Sequence, residues 1–214
     1  MNKGTFITFE GGEGSGKTSL IFNLKEHFES MGYTVLVTRE PGGVKVAEDI
    51  REVIMSSEMD TMTEALLFAS ARREHLVERV LPALERGEIV LCDRFVHSSI
   101  VYQGMVKELG VKTVADLNAF AIGDNMPDMT IIMDLDPQVG LNRISANSER
   151  EVNRWDLEKL DFHEKLRKSY QSLKTLFPEQ NIVSIDASPS QEEVFNVAKS
   201  VLESFLSKHQ EKVS

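Results

Sequence analysis

Short apolar runs of strand length recur along this chain between longer segments of helical periodicity. Residues 5–9, 33–38, 88–93, 130–135 and 181–185 read as strands, because each centres on a run of β-branched, aliphatic or aromatic residues such as Thr5-Phe6-Ile7-Thr8-Phe9. Between them apolar positions return at three- and four-residue spacing, which predicts helices over 17–30, 46–55, 63–85, 113–123, 137–146, 156–176 and 191–208. In the first of these, Leu20, Ile21, Leu24 and Phe28 share one face. Strands alternating with helices predict an α/β fold, a doubly wound parallel β-sheet with flanking helices. Ligands of such folds gather beyond the carboxyl ends of the strands, so the residues just after each run carry the most functional weight.

Directly after the first run stands Gly11-Gly12-Glu13-Gly14-Ser15-Gly16-Lys17-Thr18, which fits the phosphate-loop pattern G-x-x-x-x-G-K-[ST]. Its glycines let backbone N–H groups turn inward around phosphate oxygens, and the helix opening at Lys17 directs its positive dipole end at them. The Lys17 ammonium adds a charge on a flexible stem, and Thr18 offers a hydroxyl to Mg²⁺. The chain is therefore expected to bind a nucleoside triphosphate on residues 11–18.

The second run leads into Arg39-Glu40-Pro41-Gly42-Gly43, where Arg39 is placed to fork onto a second phosphate. The third ends in Asp93-Arg94. Asp93 stands where phosphate-loop proteins keep the carboxylate that orients Mg²⁺ or its waters, and Arg94 points to a second anionic substrate facing the first. Phe68 and Arg72, four residues apart on one helix face, pair an aromatic plane with a guanidinium, as recognition of a nucleobase would require. Arg143, Arg150 and Arg154 lie in and around a polar stretch, and a mobile lid is expected at about 143–158.

With 214 residues and no linker-like tract, one domain spanning 1–214 is expected. The formal net charge of −10 opposes binding to a nucleic acid polymer or to an anionic membrane, so anionic ligands must be held by local basic groups. The single cysteine, Cys92, lies in an apolar run and reads as a buried reduced thiol, which points to a cytoplasmic setting. No apolar run approaches membrane-spanning length, and the five histidines show no metal-ligand spacing.

Taken together, Phe9-Glu10-Gly11, Thr38-Arg39-Glu40-Pro41-Gly42-Gly43, Ala71-Arg72-Arg73-Glu74-His75, Asp93-Arg94, Ser98-Ser99 and Tyr102-Gln103-Gly104 closely resemble the thymidylate kinase family. That resemblance runs nearly the whole chain and implies a P-loop nucleoside monophosphate kinase fold, with ATP and Mg²⁺ used to phosphorylate dTMP to dTDP. It further implies that Glu13 sits near the sugar 3′-hydroxyl and that Arg39 and Arg94 hold the monophosphate. Phe68 would stack on thymine, Arg72, Ser99 and Gln103 would contact the base, and Tyr102 would crowd the place of a ribose 2′-hydroxyl. Some members carry a catalytic arginine inside the phosphate loop, at the position that is Gly14 here. This chain resembles the bacterial type that supplies the charge from the lid, with Arg154 the best match and Arg150 and Arg143 weaker ones.

Phe95, His97, Lys45 and Ala47 depart from the residues usual in that family. The resemblance also implies a homodimer, with Leu66, Leu76 and Leu81 as interface candidates that core packing would explain equally well. A phosphate acceptor needs no catalytic base, since the second pKa of a phosphate monoester is ~6. Two rival readings are a deoxynucleoside kinase, which would need a carboxylate base for a 5′-hydroxyl, and an ATP-switched binding module. The second leaves an acceptor pocket of Phe68, Arg72 and Gln103 unexplained.

Overall fold

β1 (Thr5–Glu10) is buried at all six positions, as a strand covered on both faces must be, and it forms the centre of a five-stranded sheet. β2 (Val35–Arg39), β3 (Ile89–Asp93), β4 (Met129–Asp134) and β5 (Ile182–Asp186) complete it in the order β2-β3-β1-β4-β5, every pair parallel. The computed structural model describes residues 4–146, 155 and 157–213, with side chains through 208. Among them no helix is long and apolar enough to cross a membrane.

Because side chains alternate across a strand, β1 feeds two cores. Phe6 joins Val90, Cys92 and Ile132 on one face, beneath Ala69, Val101, Val114 and Leu166. Ile7 and Phe9 join Leu91, Ile131 and Met133 on the other, beneath Leu20, Leu24, Phe28 and Leu202. The Cys92 thiol is fully buried, and that burial pushes its pKa well up, so it stays protonated. Register decides what happens at the rim. Phe9 and Arg39 both pair with Asp93, so β1, β2 and β3 end level and deliver the phosphate loop, Arg39 and Asp93-Arg94 to one edge.

Helices α1 (Lys17–Ser30), α2 (Lys45–Ser56), α6 (Val111–Ile122) and α7 (Pro137–Ser145) fall within a few residues of the expected ranges. So does α9 (Gln191–Val213), which extends past its expected end at 208. The long helix expected over 63–85 is three joined pieces. α3 (Thr61–His75), whose first turn is capped by the Asp60 carboxylate accepting from Met62 and Thr63 N–H, runs into a π-helical turn at Leu76–Val80 and then α4 (Leu81–Glu85). In that turn the Leu81 N–H donates to Leu76 O, five residues back, just ahead of Pro82, which has no N–H to give. Leu76 is fully buried in the core and so is not an interface residue, Leu81 packs against the core, and Leu66 is exposed.

Two differences bear on function. α5 (Val96–Ser99) continues as a π-helical stretch, Ile100–Val106, where no helix was expected. The segment carries four β-branched residues, two serines and a glycine, which favour helix weakly, and it is buried from Val96 to Gly104 except at Ser98, so it lacks the polar face that would reveal helical periodicity. The helix expected from 156 starts only at Leu160, as α8 (Leu160–Leu176), and Trp155 instead turns its ring toward the cavity described next.

Candidate active site

The phosphate loop wraps the β1–α1 junction. Gly14 has φ 69, a left-handed conformation that suits glycine, and a Cβ there would run into the backbone of Gly140 in α7. The Lys17 ammonium curls back over the loop, donating to Gly11 O at 3.2 Å, Gly12 O at 3.0 Å and Ser15 Oγ at 3.2 Å. Burial, followed by the positive Arg94 beside it, lowers its pKa to about 8. Thr18 Oγ1 donates to Asp93 Oδ2 at 2.8 Å, bringing a hydroxyl and a carboxylate together at the loop's mouth.

Arg94 is the hub of the opposite wall. It holds φ 71, unusual for a residue with a side chain, and donates to Glu13 Oε1 at 2.7 Å, Gly11 O and Tyr170 Oη at 3.1 Å, and Ser98 Oγ at 3.2 Å. Burial disfavours its charge, but Tyr102, Glu13, Tyr170 and Asp93 outweigh that and push its pKa well up, so the guanidinium stays charged. Behind it the buried Glu10 carboxylate accepts from Phe95 N at 2.8 Å, Ser98 N at 3.2 Å, Ser98 Oγ at 2.5 Å and Tyr170 Oη at 3.3 Å. Those bonds anchor the chain on the far side of Arg94, so the strained residue sits between two fixed points. Tyr102 Oη donates to the same Glu13 oxygen at 3.0 Å, and the Arg94 guanidinium lies 5.4 Å from the centre of the Tyr102 ring.

A third group lies deeper. Glu64, Phe68 and Arg72 recur every four residues along α3 and so share one face. Arg72, only 2% exposed, donates through Nε to Glu40 Oε2 at 2.7 Å, through Nη1 to Ser99 Oγ at 3.1 Å and to Asn118 Oδ1, and through Nη2 to Phe95 O at 3.0 Å. One Nη2 hydrogen remains without a partner among the described residues. Glu40 also accepts from the buried His75 Nδ1 at 2.9 Å, and His75 Nε2 meets Thr38 Oγ1 at 2.6 Å. Gln103 Nε2 donates to Glu64 Oε1 at 2.7 Å, while Gln103 Oε1 is buried with no hydrogen-bond partner among the described residues.

These groups converge on one cavity of about 510 Å³. Glu13, Gly14, Gly16, Lys17 and Thr18 line its donor end, Arg39, Asp93 and Arg94 its middle, and Phe68, Arg72, Ser99, Tyr102 and Gln103 its far end. Of the remaining residues expected at the site, Ser15 is buried inside the loop, Gly11 and Gly12 border a small void behind it, and Arg150 and Arg154 lie outside the described residues. Arg39 is engaged by Glu48 at 2.9 and 3.2 Å, so its guanidinium is oriented on the cavity wall by an ion pair. Arg143 reaches the same cavity from α7 and donates to Ala187 O at 3.1 Å.

Several members of the site were not expected from the sequence. Arg51 and Trp155 line the cavity, Glu40 holds Arg72, Tyr170 holds Arg94 and is itself bonded to Glu10, and Glu64 holds Gln103. For Glu64 there was a usable signal, a carboxylate one turn ahead of Phe68 on the same face. For Tyr170, 76 residues from Arg94, there was none. Among the described residues no cluster of three or more His, Cys, Asp or Glu could hold a metal, so a cation at this site would draw on Thr18, Asp93 and ligand oxygens.

A phosphate loop and a second, arginine-walled compartment opening into one cavity at the carboxyl ends of parallel strands define a P-loop nucleoside monophosphate kinase. The family model described as thymidylate kinase matches residues 9–197. The chain belongs to the thymidylate kinase family. It is 54% identical over 196 residues to the thymidylate kinase of Geobacillus thermodenitrificans, covering 90% of this chain and 87% of that one. To the thymidylate kinase of Bacillus velezensis it is 51% identical over 210 residues, 97% of this chain and 99% of the relative. The solved structure of thymidylate kinase from Ehrlichia chaffeensis superposes with a TM-score of 0.75 at 30% identity, covering 94% of this chain and 99% of that one.

Proposed function

We propose that this chain transfers the γ-phosphoryl group of Mg-ATP to dTMP, with ATP held on residues 11–18 and dTMP in the compartment between Arg94 and Gln103. The observation that carries this assignment is the continuity of the cavity, from Lys17 and Thr18 through Arg94 to an aromatic and amide-lined end. Lys17 and the loop N–H groups hold the donor phosphates, while Arg94 and Arg39 take the acceptor phosphate. Two polyanions are thus brought into line without a catalytic base, because the acceptor is already ionised. Thr18 and Asp93 supply the hard oxygen donors that suit Mg²⁺. Held there by Thr18 and Asp93, Mg²⁺ would supply positive charge against the negative charge that develops in transfer.

At the far end Phe68 stacks on thymine, the spare Arg72 Nη2 hydrogen is available to the base's 4-carbonyl, and Gln103 Oε1 accepts from its N3–H. The orphaned Gln103 oxygen supports this directly, since a buried acceptor without a partner is costly until a donor arrives. Glu13 receives the 3′-hydroxyl, and Tyr102 stands against a 2′-hydroxyl.

The chain acts as one kinase domain, with a lid at about 143–158 that closes over the phosphates and brings in Arg154, with Arg150 as the alternative. It works in the cytoplasm as a homodimer, a state consistent with exposed apolar side chains at Leu66, Val77 and Phe120.

A coupled assay of ADP release across a panel of nucleoside monophosphates, with thymidine included, tests the assignment. Turnover with dTMP well above every other acceptor is the expected result. Preference for thymidine would instead assign a deoxynucleoside kinase, and acceptor-independent hydrolysis alone an ATP-switched module.

A further inference from the structure

We propose that Glu64 is a specificity-determining positioning residue: it fixes which end of the Gln103 amide faces the base, and Lys107 compensates the buried charge this requires. The inference rests on the reading above that Gln103 meets the acceptor's base. The two ends of a glutamine amide are nearly the same size and opposite in function, one accepting and the other donating. With the oxygen forward, Gln103 accepts from a base that carries N3–H, as thymine does. With the nitrogen forward, it donates to a base whose N3 is an acceptor, as cytosine's is. Orientation of this one group therefore distinguishes the two pyrimidines at a position that shape does not.

Nothing in Gln103 itself chooses between the two orientations; Glu64 does. Its carboxylate is 1% exposed and accepts only, so it pairs with Nε2 at 2.7 Å and would face a second acceptor if the amide turned over. A buried carboxylate is costly unless compensated. Lys107 supplies the countercharge, donating to both Glu64 oxygens at 2.9 and 2.8 Å from a side chain that is still partly in solvent. The acceptor at the base end is thus set by a chain of charge, from Lys107 to Glu64 to Gln103, and the orphaned Oε1 is its outcome.

Glu64→Gln offers a neighbour that both donates and accepts, so it removes the orientation rule while keeping shape and packing. Steady-state kcat/KM for dTMP and dCMP is measured in the wild type, Glu64→Gln and Gln103→Ala, each checked for folding by thermal melting. The expected result is a dTMP-to-dCMP ratio at least about tenfold lower in Glu64→Gln, carried mainly by a raised KM for dTMP and a lowered one for dCMP. A merely structural role would depress both substrates together and leave the ratio alone. A folded Glu64→Gln protein with the wild-type ratio overturns the role of Glu64. An unchanged ratio in Gln103→Ala shows instead that Gln103 does not read the base, so the reading of the site fails and the inference with it. If Glu64→Gln does not fold, the neutral double variant Glu64→Gln/Lys107→Gln takes its place: a lowered ratio supports the role of Glu64, and the wild-type ratio overturns it.

Discussion

Arg94 Nη2 lies 2.7 Å from Glu13 Oε1, which ties the residue just beyond β3 to the middle of the phosphate loop. The wall proposed for the acceptor and the cradle proposed for the donor are therefore one hydrogen-bonded unit before any ligand arrives. Rigid placement of this kind is what phosphoryl transfer asks of a protein, because the chemistry consists largely of positioning and charge stabilisation. The neighbouring Tyr102, Glu13, Tyr170 and Asp93 keep this guanidinium charged in a buried place, as the role proposed for it toward a phosphate requires.

Replacing Arg94 by alanine is expected to lower kcat by roughly 10²-fold or more, the scale seen when one preorganised charge-stabilising donor is removed, and to disturb folding far less. ADP-release kinetics together with circular dichroism check this. Near-normal turnover in a folded Arg94→Ala protein would exclude the residue from catalysis.

Lys17 makes a prediction about pH. Its folded pKa of about 8 lies below the usual 10.5, so between those values the unfolded chain binds more protons, and this group's contribution to stability rises with pH through that window. Below about 8 the cost of the buried charge is present in full, ~3 kcal/mol at most by the size of the shift and less once its hydrogen bonds are counted. Lys17→Met should therefore be inactive yet melt no lower than the wild type at pH 7 without nucleotide, with any advantage shrinking by pH 10. Melting curves of both proteins at the two pH values decide it. A variant clearly less stable at pH 7 would show that the loop bonds outweigh the buried charge.

Tyr102 joins a steric and a polar role that substitution can separate. Its phenol is pushed well above the usual tyrosine pKa by burial, so it remains a donor to Glu13, while its ring packs 5.9 Å from Trp155 and 6.3 Å from Phe162. Tyr102→Phe keeps the ring and should retain most discrimination between dTMP and its ribose counterpart. Tyr102→Ala should relax it. Unchanged ribose discrimination in the alanine variant would end the sugar-gate assignment.

With Gly14 closed to any side chain by Gly140, a transition-state arginine has to come from outside the phosphate loop. Arg154→Ala is accordingly expected to depress kcat more than it raises KM for dTMP, since an interaction made mainly in the transition state does not strengthen ground-state binding. If Arg154→Ala alters neither parameter while Arg150→Ala or Arg143→Ala does, the charge comes from that residue instead.

What the sequence determined by itself was the sheet's strands, the phosphate loop, Arg39 and Asp93-Arg94, all of them local. A phosphate cradle is built from consecutive backbone groups, a buried strand shows as a continuous apolar run, and the rule that ligands collect at strand ends joins them into one site. Phe68 and Arg72 were legible because helical spacing puts them on one face, although the burial of Arg72 among Glu40, Ser99, Asn118 and Phe95 was not. The helix from Val96 to Val106 left no periodic trace, being covered on nearly every side. Only the tertiary structure decided that Glu10 and Tyr170, 160 residues apart, would meet behind Arg94, or that Glu64 would reach Gln103. Such pairs depend on strand register and on the rotation of one helix against another. Those are set by the packing of the whole core, whereas a hydrophobic period records only which face of each element turns inward.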